Sequence, residues 1–374
     1  MSGVQDGVSA LVVRWQAEHG RNHLPWQNTR DPYRVWLSEV MLQQTQVATV
    51  LDYYARFLAR FPDVQSLAAA PQDEVLALWS GLGYYSRARN LHHCAQQVVQ
   101  RHGGQFPRTV EELAALPGIG RSTAGAIASF CFGVRAPILD ANVRRVLTRV
   151  LGFDADLAVA RNERALWEHA QALLPQHDLQ DTMPRYTQGL MDLGASICSP
   201  KKPACIVCPL HATCVARRQG NPEDYPVRTR KLRRTSQSWW LLLQRDPQGR
   251  LWLERRPAPG IWAGLYCPPV FEDLAALQAQ AGRYAGQLVD LPGFLHVLTH
   301  RDLHLHPVVL DGVPSPQDGG PPAAGADPAA MGVTTTPGGW FGPHQWAELG
   351  LPAPVRRLLE EGLLERGSLA AAIK

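Results

Sequence analysis

Lysine is nearly missing from this sequence. Its 374 residues hold four, Lys201, Lys202, Lys231 and Lys374, against 33 arginines, so the first 200 residues offer no lysine amine as a nucleophile. Long apolar runs are also missing: no stretch approaches the ~18 residues that a membrane helix needs. The first residues, Met1 to Asp6, lack the basic and apolar blocks of a secretory leader. Cysteine is sparse and odd in number, at 94, 131, 198, 205, 208, 214 and 267, which excludes a secreted disulfide framework. The expectation is a soluble protein of the reducing cytoplasm.

Charge is local. The formal net charge is only +4, yet residues 101–150 carry seven Arg against three acids and residues 201–250 eleven Lys or Arg against three. Basic blocks of that kind imply an anionic partner. The length corresponds to two or three domains at ~100–200 residues each. Residues 1–218 read as helices with short polar connections. Asp31-Pro32 supplies a cap and a proline at the first helical position, and Leu37, Val40, Val47 and Leu51 recur at helical spacing. One helix is expected from near 32 to 54, with others over roughly 64–70, 73–79, 86–101, 110–115, 121–132, 141–150, 161–174 and 184–196. Residues 219–236 read as a polar, basic linker. Residues 237–374 turn to strands, at 239–244, 251–255 and 294–309, with a Pro/Gly/Ala-rich loop at 313–339 and a closing helix near 353–365.

Cys198, Cys205, Cys208 and Cys214 form a C-x6-C-x2-C-x5-C pattern interleaved with Pro200, Pro203 and Pro209. Four thiolates in a prolyl loop suit an iron–sulfur cluster or a zinc ion, since both take sulfur ligands at a tetrahedral metal. Leu116-Pro117-Gly118-Ile119-Gly120 reads as a tight hairpin before a helix. Its glycines let bare N–H groups approach a phosphate without reading sequence.

The cysteine spacing resembles that of endonuclease III-like DNA glycosylases. The hairpin, followed by Gly133, Pro137 and Asp140, resembles their helix-hairpin-helix and Gly/Pro-rich loop. Ser38-Glu39-Val40-Met41-Leu42-Gln43-Gln44-Thr45-Gln46-Val47 and Gly81-Leu82-Gly83-Tyr84-Tyr85-Ser86-Arg87-Ala88-Arg89-Asn90-Leu91 are similar to the MutY-type adenine DNA glycosylases. The likeness continues in the last third, where Gly260-Ile261-Trp262-Ala263-Gly264-Leu265-Tyr266-Cys267-Pro268 and Leu298-Thr299-His300 resemble that family's Nudix-like domain. The resemblance implies a multi-domain chain: an all-α helix-hairpin-helix glycosylase domain with an iron–sulfur loop, then an α+β Nudix-like domain. It also implies a [4Fe–4S] cluster on the four cysteines, a monovalent cation at the hairpin, and a monomer acting on double-stranded DNA with adenine opposite 8-oxoguanine or guanine. In a bacterium such a protein would be found at the nucleoid.

Base removal resembles glycoside hydrolysis, in which a leaving group takes a proton and an anion stabilises an oxocarbenium-like sugar. A helical Glu is usually a solvated surface group, but Glu39 shares its face with Gln43 and Gln46, which suits a cleft for a neutral base. By resemblance Glu39 protonates adenine at N7 and handles the attacking water, and Asp140 faces the sugar with Asn142 in support. Asp140 also fits as the N-cap of the 141–150 helix. A flipped base leaves a gap to be filled. The resemblance places Gln44, Thr45, Leu82 and Tyr84 there, and Leu24, Trp26 and Gln188 around the adenine. Bifunctional relatives carry a lysine two residues after the last hairpin glycine, where Ser122 stands here, so a hydrolytic, monofunctional enzyme is expected. No Nudix carboxylate pattern G-x5-E-x7-R-E-x2-E-E is present. The last domain is therefore expected to recognise rather than hydrolyse, with Thr299 and His300 reading 8-oxoguanine. The rival readings are a bifunctional enzyme for oxidised pyrimidines, which Ser122 and the extra domain disfavour, and a non-catalytic iron–sulfur DNA sensor, which leaves Glu39 and Asp140 without a task.

Overall fold

Asp31 caps its helix as the sequence requires, its carboxylate accepting from Tyr33 N at 3.0 Å with Pro32 in the first turn. The structure, a computed structural model, describes residues 2–229, 234–284, 286–314 and 338–360. Its helices in chain order are α1 Ser2–His19, α2 Pro32–Leu42, α3 Val47–Arg60, α4 Val64–Ala69, α5 Gln72–Leu78, α6 Tyr85–His102, α7 Val110–Ala114, α8 Arg121–Phe132, α9 Ala141–Leu151, α10 Ala160–Ala172, α11 Leu179–Ser196 and α12 Val215–Gln219. The strands are β1 Thr235–Arg245, β2 Leu251–Arg255, β3 Tyr266–Cys267, β4 Val270–Phe271, β5 Leu288–Asp290, β6 Phe294–Val297, β7 Arg301–Asp311 and β8 Gly338–Phe341, with helices α13 Leu274–Ala281, α14 Pro343–Trp346 and α15 Ala353–Glu360.

The chain divides into two compact units. The first, residues 1–69 and 90–231, is helical. Its core is built where α9 and α11 press Val143, Val146, Leu147, Met183, Tyr186 and Leu190 together. Residues 219–229 are not a free linker. Tyr225 is buried in this core and Leu157 N donates to Val227 O at 3.1 Å. Residues 230–233 of the expected linker lie outside the described residues.

The second unit comprises residues 70–89 and 232–374. Its sheet runs β3-β2-β1-β7-β5, with β4 on β1, β6 on β7 and β8 on β2. β1 and β7 are parallel from Thr235↔Arg301 to Arg245↔Asp311, which forces the connection between them to cross over, and α13 covers Leu242, Val308 and Leu310 with Leu277 and Ala281. A stretch of the N-terminal half therefore belongs to this unit. Arg255 pairs with Asp73, Ser80 Oγ and Tyr85 OH donate to Leu351 O at 3.0 and 2.8 Å, and Arg89 Nη1 donates to Ala263 O at 2.6 Å. Domain boundaries drawn from composition run past this segment, because its local pattern is helical like its neighbours.

Three expected elements differ. The helix expected over 32–54 is two helices, broken at Gln43, where ψ turns to 111°, and Gln44, where φ is +56°. The break shifts the buried stripe: Leu37 and Val40 are followed by Val50, Tyr54 and Phe57, while Leu51 is 37% exposed. The strand expected over 294–309 is the hairpin β6–β7, with Leu298-Thr299-His300 at its turn and Leu298 N donating to Arg301 O at 2.8 Å. α11 starts at Leu179 rather than 184, because Pro184 is accommodated inside it. Proline has no N–H for the carbonyl of Gln180. Arg30 Nη2 donates to that carbonyl instead, at 2.8 Å. Of the expected loop 313–339, residues 315–337 lie outside the described residues, as do residues 361–365 of the closing helix.

Candidate active site

Glu39 stands on the last two turns of α2, between buried Ser38 and Val40, and lines a cleft of about 350 Å³ together with Trp26, Gln27, Val35, Ser38 and Gln188. That volume is in the range of small-ligand sites. Removal from water pushes its carboxyl up to about 8, and the charge of Asp140 pushes in the same direction. Asp140 caps α9, accepting from Val143 N at 2.7 Å, so the capping and the electrostatic readings of this residue hold together. Burial raises its carboxyl too, while hydrogen bonds from Val143 and Asn142 and the charges of Arg145 and Arg144 favour the anion. Ser122 Oγ accepts from Leu139 N at 3.0 Å, which ties the segment carrying Asp140 to α8. Asn142 Oδ1 accepts from Arg145 Nη2 at 2.8 Å; its side chain faces the packing of α9 on α11 rather than Asp140.

Around the cleft, Trp26 is buried edge-on against Tyr54 at 5.3 Å and Leu24 is buried. Gln188 Nε2 donates to Asp192 Oδ1 at 2.9 Å. Two polar residues here escaped the sequence reading. Both amide atoms of Gln27 are buried in the cleft wall without a hydrogen-bond partner among the described residues. Asp192 is fully buried and accepts from Arg21 Nε at 2.7 Å. Asp192 lies one turn after Gln188 on the face of α11 opposite Met183, Tyr186 and Leu190, so the apolar stripe carries no signal of its burial.

In the hairpin Leu116 and Ile119 are buried, and Gly118 has φ +77° with Asn90 Cβ only 2.7 Å from where a side chain would start. Nothing stands within 4 Å of the corresponding point at Gly120, which opens the N-terminal end of α8 to a ligand. Four arginines of the basic block 101–150 that follow the hairpin make contacts inside the protein. Arg144 pairs with Glu163 at 2.6 Å, and Arg145 donates to Cys198 O and Gly194 O at 2.7 and 2.6 Å. Arg149 is buried, donating to Ser199 O and Pro200 O at 2.7 and 3.0 Å. Arg121 stacks on Trp167 at 4.0 Å.

Arg145 and Arg149 hold the cysteine loop. Cys198, Cys205, Cys208 and Cys214 are all free thiols and line one apolar cavity with Arg149, whose Nη1 lies 3.3 Å from Cys198 Sγ. Among the described residues no three His, Cys, Asp or Glu side chains converge closely enough to hold one metal ion. Lys201 and Lys202 are exposed beside the loop.

Of the residues expected at the DNA gap, Gln44 is exposed in the α2–α3 break, Thr45 is partly buried, and Leu82 is buried in the second unit. Tyr84 is 41% exposed with φ +48°, and its hydroxyl hydrogen-bonds Thr299 Oγ1 at the exposed β6–β7 turn, beside His300. Two residues assigned separate tasks from sequence thus share one surface.

Comparison with known proteins agrees with this architecture. Residues 37–172 match the model of the HhH-GPD superfamily of base excision DNA repair proteins, and residues 239–361 that of the NUDIX domain. The chain is 34% identical to the adenine DNA glycosylase of Buchnera aphidicola subsp. Schizaphis graminum (strain Sg) over 359 residues, covering 94% of this chain and 97% of that one. It is 37% identical to that of Buchnera aphidicola subsp. Acyrthosiphon pisum (strain APS), covering 81% and 86%. With the human adenine DNA glycosylase it shares 44% identity over 57% of this chain and 40% of the relative. Among solved structures, a thermostable thymine-DNA glycosylase superposes with a TM-score of 0.50 at 28% identity, covering 58% of this chain and 98% of that one.

Proposed function

The chain belongs to the adenine DNA glycosylase family, and from that premise we propose that the Glu39 cleft receives an adenine flipped out of duplex DNA opposite 8-oxoguanine or guanine. The observation that carries this reading is the pairing of two carboxylates in different surroundings. With its pKa pushed up to about 8, Glu39 holds a proton at neutral pH and gives it to adenine N7 as the glycosidic bond breaks. Asp140, held by α9's backbone N–H groups, stays the anion that stabilises the oxocarbenium-like sugar. Water then adds to the sugar, with Glu39, now a carboxylate, taking its proton. Ser122 brings no amine, so the reaction is hydrolytic and leaves an abasic site rather than a broken strand.

Duplex DNA is held through the N–H groups at Gly118 and Gly120, with a monovalent cation at the hairpin, while Gln44, Thr45 and Tyr84 occupy the gap. Thr299 and His300 read the partner base. The four thiols fit a [4Fe–4S] cluster: they are spread about one cavity too widely for a single ion, and a buried Arg149 offsets the charge of thiolates. Cys198, Cys205, Cys208 and Cys214 would hold it and so tie the loop 198–214 to itself, while Arg145 and Arg149 join that loop to α9. The protein acts as a monomer.

The test is single-turnover excision on duplexes carrying adenine opposite 8-oxoguanine, guanine, thymine or cytosine, with and without alkali, and with borohydride. Excision opposite the two guanines, strand breakage only after alkali and no covalent trapping are expected. Efficient trapping would overturn the hydrolytic reading.

A further inference from the structure

Asp192 is a fully buried acid of the helical unit, its side chain 1% exposed, and the base-excision chemistry does not use it. It lies one turn of α11 beyond Gln188, away from the cleft. Its two oxygens are taken by Arg21, through Nε at 2.7 Å and the backbone N–H at 3.0 Å, and by the amide of Gln188 at 2.9 Å. An aspartate paired with a guanidinium accepts hydrogen bonds and does not donate, so the group that Gln188 turns toward it must be its NH2. The carbonyl oxygen is left on the cleft side. The cleft wall also holds the amide of Gln27, whose two polar atoms are buried without a hydrogen-bond partner among the described residues.

We propose that Asp192 is a positioning residue that locks the Gln188 amide with its carbonyl facing the cleft, so that the site selects a purine with a 6-amino donor. Adenine carries that donor. Purine lacks it, and guanine and hypoxanthine present an oxygen that the fixed carbonyl repels. The inference rests on the reading that the Glu39 cleft takes the adenine, and it adds which group enforces the choice of base. A free glutamine flips its amide at little cost and accepts either polarity. Tethering one end to a buried carboxylate turns it into a one-way reader.

The experiment compares single-turnover excision of adenine and of unsubstituted purine opposite guanine, the ratio for each variant being divided by the wild-type ratio to cancel leaving-group chemistry. Asp192→Asn, which offers an NH2 where the carboxylate accepted, is expected to lower the adenine-to-purine ratio about tenfold, as loss of one well-placed hydrogen bond does. Asp192→Glu keeps the acceptor and is expected to hold the ratio within about threefold of wild type. Gln188→Leu is expected to lower the ratio by itself, with Asp192→Asn adding nothing further in that background. An equal fall on both bases in Asp192→Asn, with melting temperature and cluster absorbance intact, would reduce Asp192 to a structural role and overturn the proposal. If Asp192→Asn does not fold, the ratio in Asp192→Glu decides, and a tenfold fall there in a folded protein also overturns it. An unchanged ratio in Gln188→Leu would overturn the proposal as well, because the amide that Asp192 holds would then read nothing; unchanged excision in Glu39→Gln would instead remove the placement of adenine in this cleft, a separate failure.

Discussion

Glu39 is where chemistry and stability oppose each other. Folded, it keeps its proton to about 8; unfolded, it releases it near the ordinary 4.5. Between those values the unfolded chain binds fewer protons, so the contribution of Glu39 to stability falls as pH rises from 4.5 to 8. At pH 7 this destabilises the fold by roughly 3 kcal/mol. Glu39→Gln is therefore expected to raise the melting temperature at pH 7.5 and to change it little at pH 4.5, while excision falls by at least ~100-fold. Melting curves at the two pH values, beside single-turnover rates, check both. Wild-type excision is expected to decline as pH rises through about 8, as the proton is lost. Asp140→Asn is the complementary case. Asparagine caps a helix as well as aspartate does, so the fold should hold while the anion is lost and excision drops. A variant keeping more than about a tenth of the wild-type rate, a change of only ~1.4 kcal/mol, would remove its residue from the mechanism.

Elements here are shaped by where regular structure stops. The α2–α3 break puts Gln44 at φ +56°, a conformation that costs a residue with a Cβ roughly 1 kcal/mol. Gln44→Gly is expected to gain about that much stability while losing excision, because the amide offered to the DNA gap is gone. Unchanged excision would show that the strained turn serves the fold alone. At the β6–β7 turn, Thr299→Val keeps shape and removes the hydroxyl that Tyr84 shares. The preference for 8-oxoguanine over guanine opposite adenine is expected to fall about tenfold, with Tyr84→Phe in the same background adding little. Additive losses would mean that the two residues act separately.

For the whole molecule, the grouping of residues 70–89 with the sheet changes what a truncation means. Gly350 lies against Leu76, and Arg356 Nε donates to Ser80 Oγ at 2.9 Å, so cutting the chain near residue 230 strips cover from α5 and the loop that carries Tyr84. The truncated protein is expected to melt lower and to excise adenine opposite guanine more slowly, beyond any loss of lesion preference. Thr299→Ala with His300→Ala, which leaves those contacts in place, should alter the preference alone. Equal excision opposite guanine by truncated and full-length protein would show that the 70–89 segment holds its shape unaided.

What the sequence determined by itself is what neighbouring residues decide together. The cysteine spacing, the Leu116–Gly120 hairpin, the cap at Asp31, the bounds of α8 and the absence of an early lysine are local facts, and each survives in the fold because caps, turns and close ligand spacing act within a few residues. The positions of Glu39, on a helix face shared with two glutamines, and of Asp140, at a helix start, were legible in the same local way, while the roles expected of them came from the resemblance. Only the tertiary structure decided the break after Leu42, since the stripe's phase depends on which core each helix meets. It also decided that Arg145 and Arg149 hold the cysteine loop while Arg144 pairs with Glu163, that Leu82 is enclosed, and that Asp192 meets Arg21 across 171 residues of chain. The physical reason is common to all of these. A buried charge must find a partner wherever the fold brings one, and sequence pattern records the charge without recording the partner.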